Sequence, residues 1–326
     1  MKKLILLLVF TAISIWSCKN NEVLGPESQV IQVELSVNGM QNLGDGFWYE
    51  GWLIWGDLNE FRQSVGIFTV NDQGQLPRTA FDATLGYLQQ AQKFLITIEE
   101  DDIPGYQVTS RDEGGTTVYD SVEGPSTYQI MGAVLEGNDG SLAIGHNNFF
   151  KFDYAQAGGT YLLDTPTDAS GSNPKSGIWF VNKDTADVIV AGLNLPVAVG
   201  GWLFEGWVDV NGVMISTGTF ISGSGKDNSN QYCDPTGTPY AFPGEDFLVN
   251  APDGTTFPLD LSGRKTLIEM RAPHPENCNS PFADIELLSA DIPANAQPRT
   301  IYPFDNNASE LPSGTVRIST KLYQVD

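Results

Sequence analysis

The chain of 326 residues has little of what most enzymes and most nucleic-acid binders need. It holds two histidines, His146 and His274, and neither stands in a His-Glu-x-x-His helix or beside a Gly-x-Ser-x-Gly elbow. Basic residues are scarce, 17 Lys+Arg against 40 Asp+Glu, so the surface repels nucleic acid. Cysteines number three, too few for a disulfide-built scaffold, and their spacing fits no metal finger. Beyond residue 17 no apolar run approaches the ~20 residues that cross a bilayer as a helix. Nor is there a long 3.6-residue periodicity, which leaves strands as the main element. The Asp/Asn/Gly clusters lack the spacing of a calcium loop ending in Glu and read as turns. We expect no enzyme activity, no metal and no cofactor.

What is present begins at the N-terminus. Lys2 and Lys3 precede the apolar stretch Leu4 to Trp16, which ends in Ser17-Cys18. A basic n-region, a short apolar h-region and a small residue before a lone Cys resemble a bacterial lipoprotein signal. That resemblance implies cleavage after residue 17, acylation of Cys18 and a membrane-anchored protein of the cell envelope, periplasmic or surface-exposed, with residues 18–28 as its tether. Acyl chains add about 0.8 kcal/mol per buried CH₂, so several of them anchor durably. Losing Lys2 and Lys3 leaves 15 basic side chains against 40 acidic ones, a net charge of −25. Adaptation to salty surroundings explains such acidity better than a specific calcium function does. Cys233 and Cys278 remain, and in an oxidising compartment an even pair predicts a disulfide between them.

The body of the chain repeats itself. Phe47-Trp48-Tyr49-Glu50-Gly51-Trp52-Leu53 returns as Trp202-Leu203-Phe204-Glu205-Gly206-Trp207-Val208, and each copy runs on into Ser-x-Gly-x-Phe, Ser64 to Phe68 and Ser216 to Phe220. Residues 94–99 match 266–271, residues 129–135 match 282–288, Phe152-Asp153 matches Phe304-Asp305, and 159–163 match 314–318, all in the same order. Alternation with period two, as in Ile31, Val33, Leu35 and Val37, and turn clusters such as Asn211-Gly212 mark strands and tight hairpins. The turn of the first copy, Gly56 to Gln63, should be longer than that of the second. One helical turn or two is expected over Ala83 to Ala91, capped by Asp82. The predicted fold is all-β: two tandem homologous β-sandwich repeats, residues 29–170 and 177–326, packed about a pseudo-twofold.

The aromatic-Glu-Gly-Trp strand, the Ser-x-Gly-x-Phe strand and the apolar strand that follows resemble the extracytoplasmic β-domain at the C-terminus of anti-sigma-K factors, in two copies. Those factors carry a cytoplasmic sigma-binding segment and a spanning helix before this domain. A lipobox stands here instead, so the resemblance implies the fold and not sigma-factor inhibition.

Within each signature strand, Phe47, Tyr49, Leu53 and Trp55, and likewise Trp202, Phe204, Val208 and Val210, should face the core. The other face carries Glu50 with Trp52 and Glu205 with Trp207. A carboxylate beside an indole can serve as a ligand platform for sugars. Recurrence in both copies favours a structural role, each Trp sealing the fold and each Glu buried and hydrogen-bonded. The expected function is non-catalytic: an envelope interaction module for a protein or glycan partner, or, as the alternative, a sensory or regulatory envelope component.

Overall fold

A computed structural model describes residues 28–55, 61–83, 91–100, 106–111, 117–121, 129–144, 154–198, 202–271 and 285–323. Cys18, Cys278, both histidines and the expected signal sequence lie outside these residues. The protein is all-β, 48 % strand and 3 % helical. Among the described residues no helix is long and apolar enough to cross a membrane.

In chain order the strands are β1 (Ser28–Asn38), β2 (Phe47–Trp55), β3 (Phe61–Phe68), β4 (Ala80–Ala83), β5 (Lys93–Glu100), β6 (Tyr106–Arg111), β7 (Thr117–Ser121), β8 (Gln129–Glu136), β9 (Asp139–Ile144), β10 (Gly158–Leu163), β11 (Gly177–Trp179), β12 (Val181–Lys183), β13 (Ile189–Ala191), β14 (Leu193–Asn194), β15 (Leu203–Val210), β16 (Val213–Phe220), β17 (Gly244–Asp246), β18 (Lys265–Arg271), β19 (Ile285–Asp291), β20 (Tyr302–Pro303), β21 (Asp305–Asn306) and β22 (Ser313–Tyr323).

The largest sheet runs β3-β2-β5-β8-β9-β22-β1-β4, antiparallel at every step, and curls until its end strands β3 and β4 meet. A two-sheet sandwich was expected here; one nearly closed sheet is found instead. Bulges between Gly51 and Trp52 and between Ile96 and Thr97 supply bends, because an extra residue on one strand tightens its local twist. The remaining long strands run β16-β15-β18-β19-β21, and β20, separated from β21 by Phe304 alone, continues through β10 to β11 and β17.

Strand pairing cuts across the expected division between residues 170 and 177. β10, from the first part of the chain, pairs with β11, β14 and β20 of the second. β22, from the far end, enters the first sheet between β1 and β9, pairing with β1 along its whole length and with β9 over Ser313 to Arg317. Period-two patterning marks both as strands but says nothing about which neighbours they pair with.

Three local expectations need correction. The turn after β2 ends before Phe61, so Phe61, Arg62 and Gln63 are strand, not loop. Asp82 and Ala83 belong to β4, where Asp82 accepts from Gln32 Nε2 at 3.1 Å across the β1–β4 pair, so the strand runs through Ala83, where the helical turn was expected to begin; residues 84–90 lie outside the described residues. The strand equivalent to β8 is displaced by four residues: pairing matches Gln129 with Glu286 and Met131 with Leu288, each flanking a bulge that leaves the wholly buried Ile130 and Leu287 as extra residues. The Asn211-Gly212 hairpin has the expected two-residue turn, both residues at positive φ (57° and 85°).

One apolar core threads both sets of strands. It holds Tyr49, Leu53, Phe94 and Val316 with Trp202, Phe204, Val208 and Phe304. A second cluster, Trp52, Ile54 and Leu95, lies on the outer side of β2 and β5.

Candidate functional site

The repeated motif builds the same small device twice. In both copies the strand pair carries a bulge after Glu-Gly, so that Gly51 faces Gly66 and Trp52 faces Ser64, leaving Val65 extra; Gly206 faces Gly218 and Trp207 faces Ser216, leaving Thr217 extra. Gly66 and Gly218 sit at φ 110° and 114°, a region that side chains avoid. The turned backbone brings the serine hydroxyl to the carboxylate. Ser64 Oγ donates to Glu50 Oε1 and accepts from the Gly66 N–H at 3.0 Å; Ser216 Oγ donates to Glu205 Oε1 and accepts from the Gly218 N–H at 3.0 Å. A Cβ at Gly51 would fall 2.7 Å from Val65 Cγ2, and one at Gly206 would fall 2.3 Å from Phe180 Cε2 and Thr217 Oγ1. The Glu, the Ser and both Gly positions of Glu-Gly-Trp and Ser-x-Gly thus have structural tasks.

Solvent access separates the four platform candidates. Glu50 is 0 % exposed and Trp52 2 %, so neither presents a surface to a ligand; Glu205 is 5 % exposed and only Trp207 is half-buried. Trp52 Nε1 donates to Thr97 Oγ1 at 3.0 Å, and Thr97 Oγ1 donates onward to Glu99. In the second copy the position facing Glu205 holds Glu269, and Arg271 forms an ion pair with Glu205. Trp207 Nε1 and Thr217 Oγ1 are buried atoms with no hydrogen-bond partner among the described residues.

Sequence reasoning missed two features. One is a set of buried carboxylates around β11 and β17, written in the sequence as Pro243-Gly244-Glu245-Asp246-Phe247. Asp246 accepts from the Thr167 N–H (2.9 Å), Thr167 Oγ1 (2.5 Å) and Trp179 Nε1 (2.9 Å). Asp164, 1 % exposed, accepts from the Tyr240 hydroxyl (2.5 Å) and the Arg299 guanidinium (3.0 Å). Glu245 accepts from Ser229 Oγ (3.0 Å) and from the Cys233 thiol (2.7 Å). Burial raises Glu245 and Asp246 above the usual carboxylate range, and it pushes Asp227, which accepts from the Gly244 N–H, up to about 7. Cys233 is therefore a buried free thiol, not half of a disulfide, and burial together with the accepting Glu245 raises its pKa. Counting cysteines could not foresee a carboxylate placed to accept from one of them. Among the described residues no group of three or more His, Cys, Asp or Glu has the arrangement of a metal site.

The other feature is a groove of about 1120 Å³ on the outer face of the first sheet, across β4, β1, β22, β9 and β8. Register aligns Glu34, Arg317, Asp139 and Glu136 in one row over four strands, with Arg317 Nε donating to Asp139 Oδ1 at 2.7 Å. The next outward row is Ser36, Thr315, Ser141 and the 46 % exposed Val134. The polar positions of β1, Gln32, Glu34 and Ser36, were legible as an outward face. Their neighbours were not, since Arg317 arrives from nearly three hundred residues away.

No family model, no curated protein and no solved structure matches the chain.

Proposed function

We propose that the chain is a non-catalytic binding protein of a bacterial cell envelope, tethered through an acylated Cys18, which holds a protein partner with a basic face in the groove across its first sheet. The observation that carries this reading is the outward row Glu34, Arg317, Asp139 and Glu136, three carboxylates around one guanidinium in an open groove with a hydroxyl row alongside. A net charge of −23, or −25 once residues 1–17 are removed, steers cationic partners towards such a surface and sets a rapid, salt-sensitive encounter. The groove's Arg317, held by Asp139, adds a donor that a purely acidic strip would lack.

The body behind the groove is, in this reading, a duplicated β unit. Support comes from the paired bulges, the two Glu-Ser-Gly devices and the two strand orders: β3-β2-β5-β8-β9-β22-β1-β4 runs parallel in sense to β16-β15-β18-β19-β21/β20-β10-β11-β17. The likeness to anti-sigma-K extracytoplasmic domains bears on this fold alone.

The groove is tested with an oligolysine peptide as probe, by fluorescence anisotropy at low and at physiological salt. The triple variant Glu34→Gln/Glu136→Gln/Asp139→Asn should bind about tenfold or more weakly, roughly 1.4 kcal/mol. A control of equal charge change elsewhere, Asp45→Asn/Asp253→Asn/Glu310→Gln, should bind like the unaltered protein. Equal losses in the two variants would reduce the effect to net charge and remove the groove from the account.

A further inference from the structure

The closing strand of each set of strands is supplied by the other. β22 fills the slot between β9 and β1, and β10 fills the corresponding slot between β20 and β11. The chain passes from the first set to the second through residues 145–157 and returns through 307–312. Had each set kept its own strand, β10 would have followed β9 into the first sheet and β22 would have followed β21 into the second. The observed connectivity is that of two strand-swapped partners joined into one chain.

From this exchange we infer that the slot between β1 and β9 also accepts β22 from a second copy of the chain, giving a reciprocal strand-swapped dimer. All the pairing of β22 with β1 and β9 is regained in such a dimer, and so are the contacts of Val316 and Ile318 with the core. Only the six-residue return, Asn307 to Pro312, has to change course. It is a short connection with a 3-10 turn at Ala308–Glu310 and a proline at its end. Because strand and slot are the same in both states, the balance is set by protein concentration against the effective concentration of the tethered strand. β22 lies inside the sheet rather than at an edge, so leaving it requires breaking two ladders, and the form chosen during folding persists. The swapped dimer keeps both grooves, each with Glu34 and Asp139 from one copy and Arg317 from the other. The inference therefore stands whether or not the groove binds a basic partner.

Glu34 and Arg317 are direct cross-strand neighbours, which makes the test specific. Full-length Glu34→Cys and Arg317→Cys chains are refolded together over a range of concentrations, oxidised, and examined by non-reducing gel and peptide mapping. Neither can form a 34–317 bond within itself. A bond between chains, rising at least severalfold over a tenfold increase in concentration, is the expected result. The double variant Glu34→Cys/Arg317→Cys, refolded dilute, should close the same bond within one chain. If it does so while the mixed chains give no 34–317 bond at any concentration, the inference is overturned. Failure of the double variant to close would overturn it too, by removing β22 from its slot.

Discussion

The Glu-Gly-Trp strand of the first half and that of the second share a bulge and differ in what lies over it. Glu50 and Trp52 are sealed in, with the Trp52 indole bonded to Thr97 and Ile54 and Leu95 packed beside it. Glu205 and Trp207 lie under a thinner cover: the carboxylate is neutralised by the half-exposed Arg271, and the indole N–H has no partner among the described residues. The shared part is therefore what the backbone needs, a carboxylate to hold the serine and a glycine where a Cβ would collide. The outer chemistry is free to diverge, as Thr97 and Glu99 against Glu269 and Arg271 illustrate. Backbone geometry alone can thus account for a motif that repeats faithfully.

The largest test of this contrast is to remove each indole. Trp52→Ala should destabilise by about 3–5 kcal/mol, the usual cost of emptying a buried aromatic site, with the Thr97 hydroxyl losing the donor it accepts from and keeping its bond to Glu99. Trp207→Ala should cost about half as much, because part of its ring already meets water and its N–H gives up no bond. Denaturant melts of the two variants measure both. Equal losses would mean that Trp207 is covered as thoroughly as Trp52, and the contrast between the halves would disappear.

Much of the fold was legible before any coordinates. Alternation located β1, β2, β15 and β16, and Asn211-Gly212 fixed its hairpin because two successive residues at positive φ leave few other choices. The Glu50 and Glu205 devices were legible as residues and not as a bulge, since a bulge depends on which residue of the partner strand is skipped. The same blindness displaced the alignment at β8, where the extra residues Ile130 and Leu287 break the simple period. Which sheet β10 and β22 enter left no mark at all. Residues 159–163 and 314–318 are alike in pattern, but hydrophobic pattern is indifferent to which sheet a strand joins.

A smaller effect comes from the buried acids around β17 in the second half. Asp227, Glu245 and Asp246 all have pKa values raised by burial, Asp227 to about 7. A carboxyl whose folded pKa lies above its unfolded value contributes stability below the unfolded pKa and loses it as pH climbs through the folded one. The protein should therefore grow less stable between about pH 4 and pH 7, where the unfolded chain releases these protons first. Asp168 works in the opposite sense at more acid pH, because the Ser170 hydroxyl and nearby N–H groups hold its carboxylate below the usual range. Thermal melts of Asp227→Asn against the unaltered protein should show a shallower decline over pH 4–7. An unchanged slope would place the pH dependence on Glu245, Asp246 or general charge repulsion instead.

The finest distinction is between the two residues that the bulge leaves over. Val65 in the first half and Thr217 in the second occupy the same place, both buried, and they differ by a methyl against a hydroxyl. Thr217 Oγ1 has no hydrogen-bond partner among the described residues, so the fold carries the cost of removing a hydroxyl from water without return. Valine has nearly the same shape and brings no polar atom. Thr217→Val should consequently stabilise the protein, by about 1 kcal/mol, an unusual sign for a change in a packed interior. The reverse exchange, Val65→Thr, should destabilise by a similar amount, since the hydroxyl of Thr217 at the corresponding place finds no partner among the described residues. Urea melts of both variants give the two signs directly. Destabilisation by Thr217→Val would mean that the hydroxyl has a partner in the folded protein, a bound water or a residue outside the described segments, and that the two bulges differ in more than their leftover side chains.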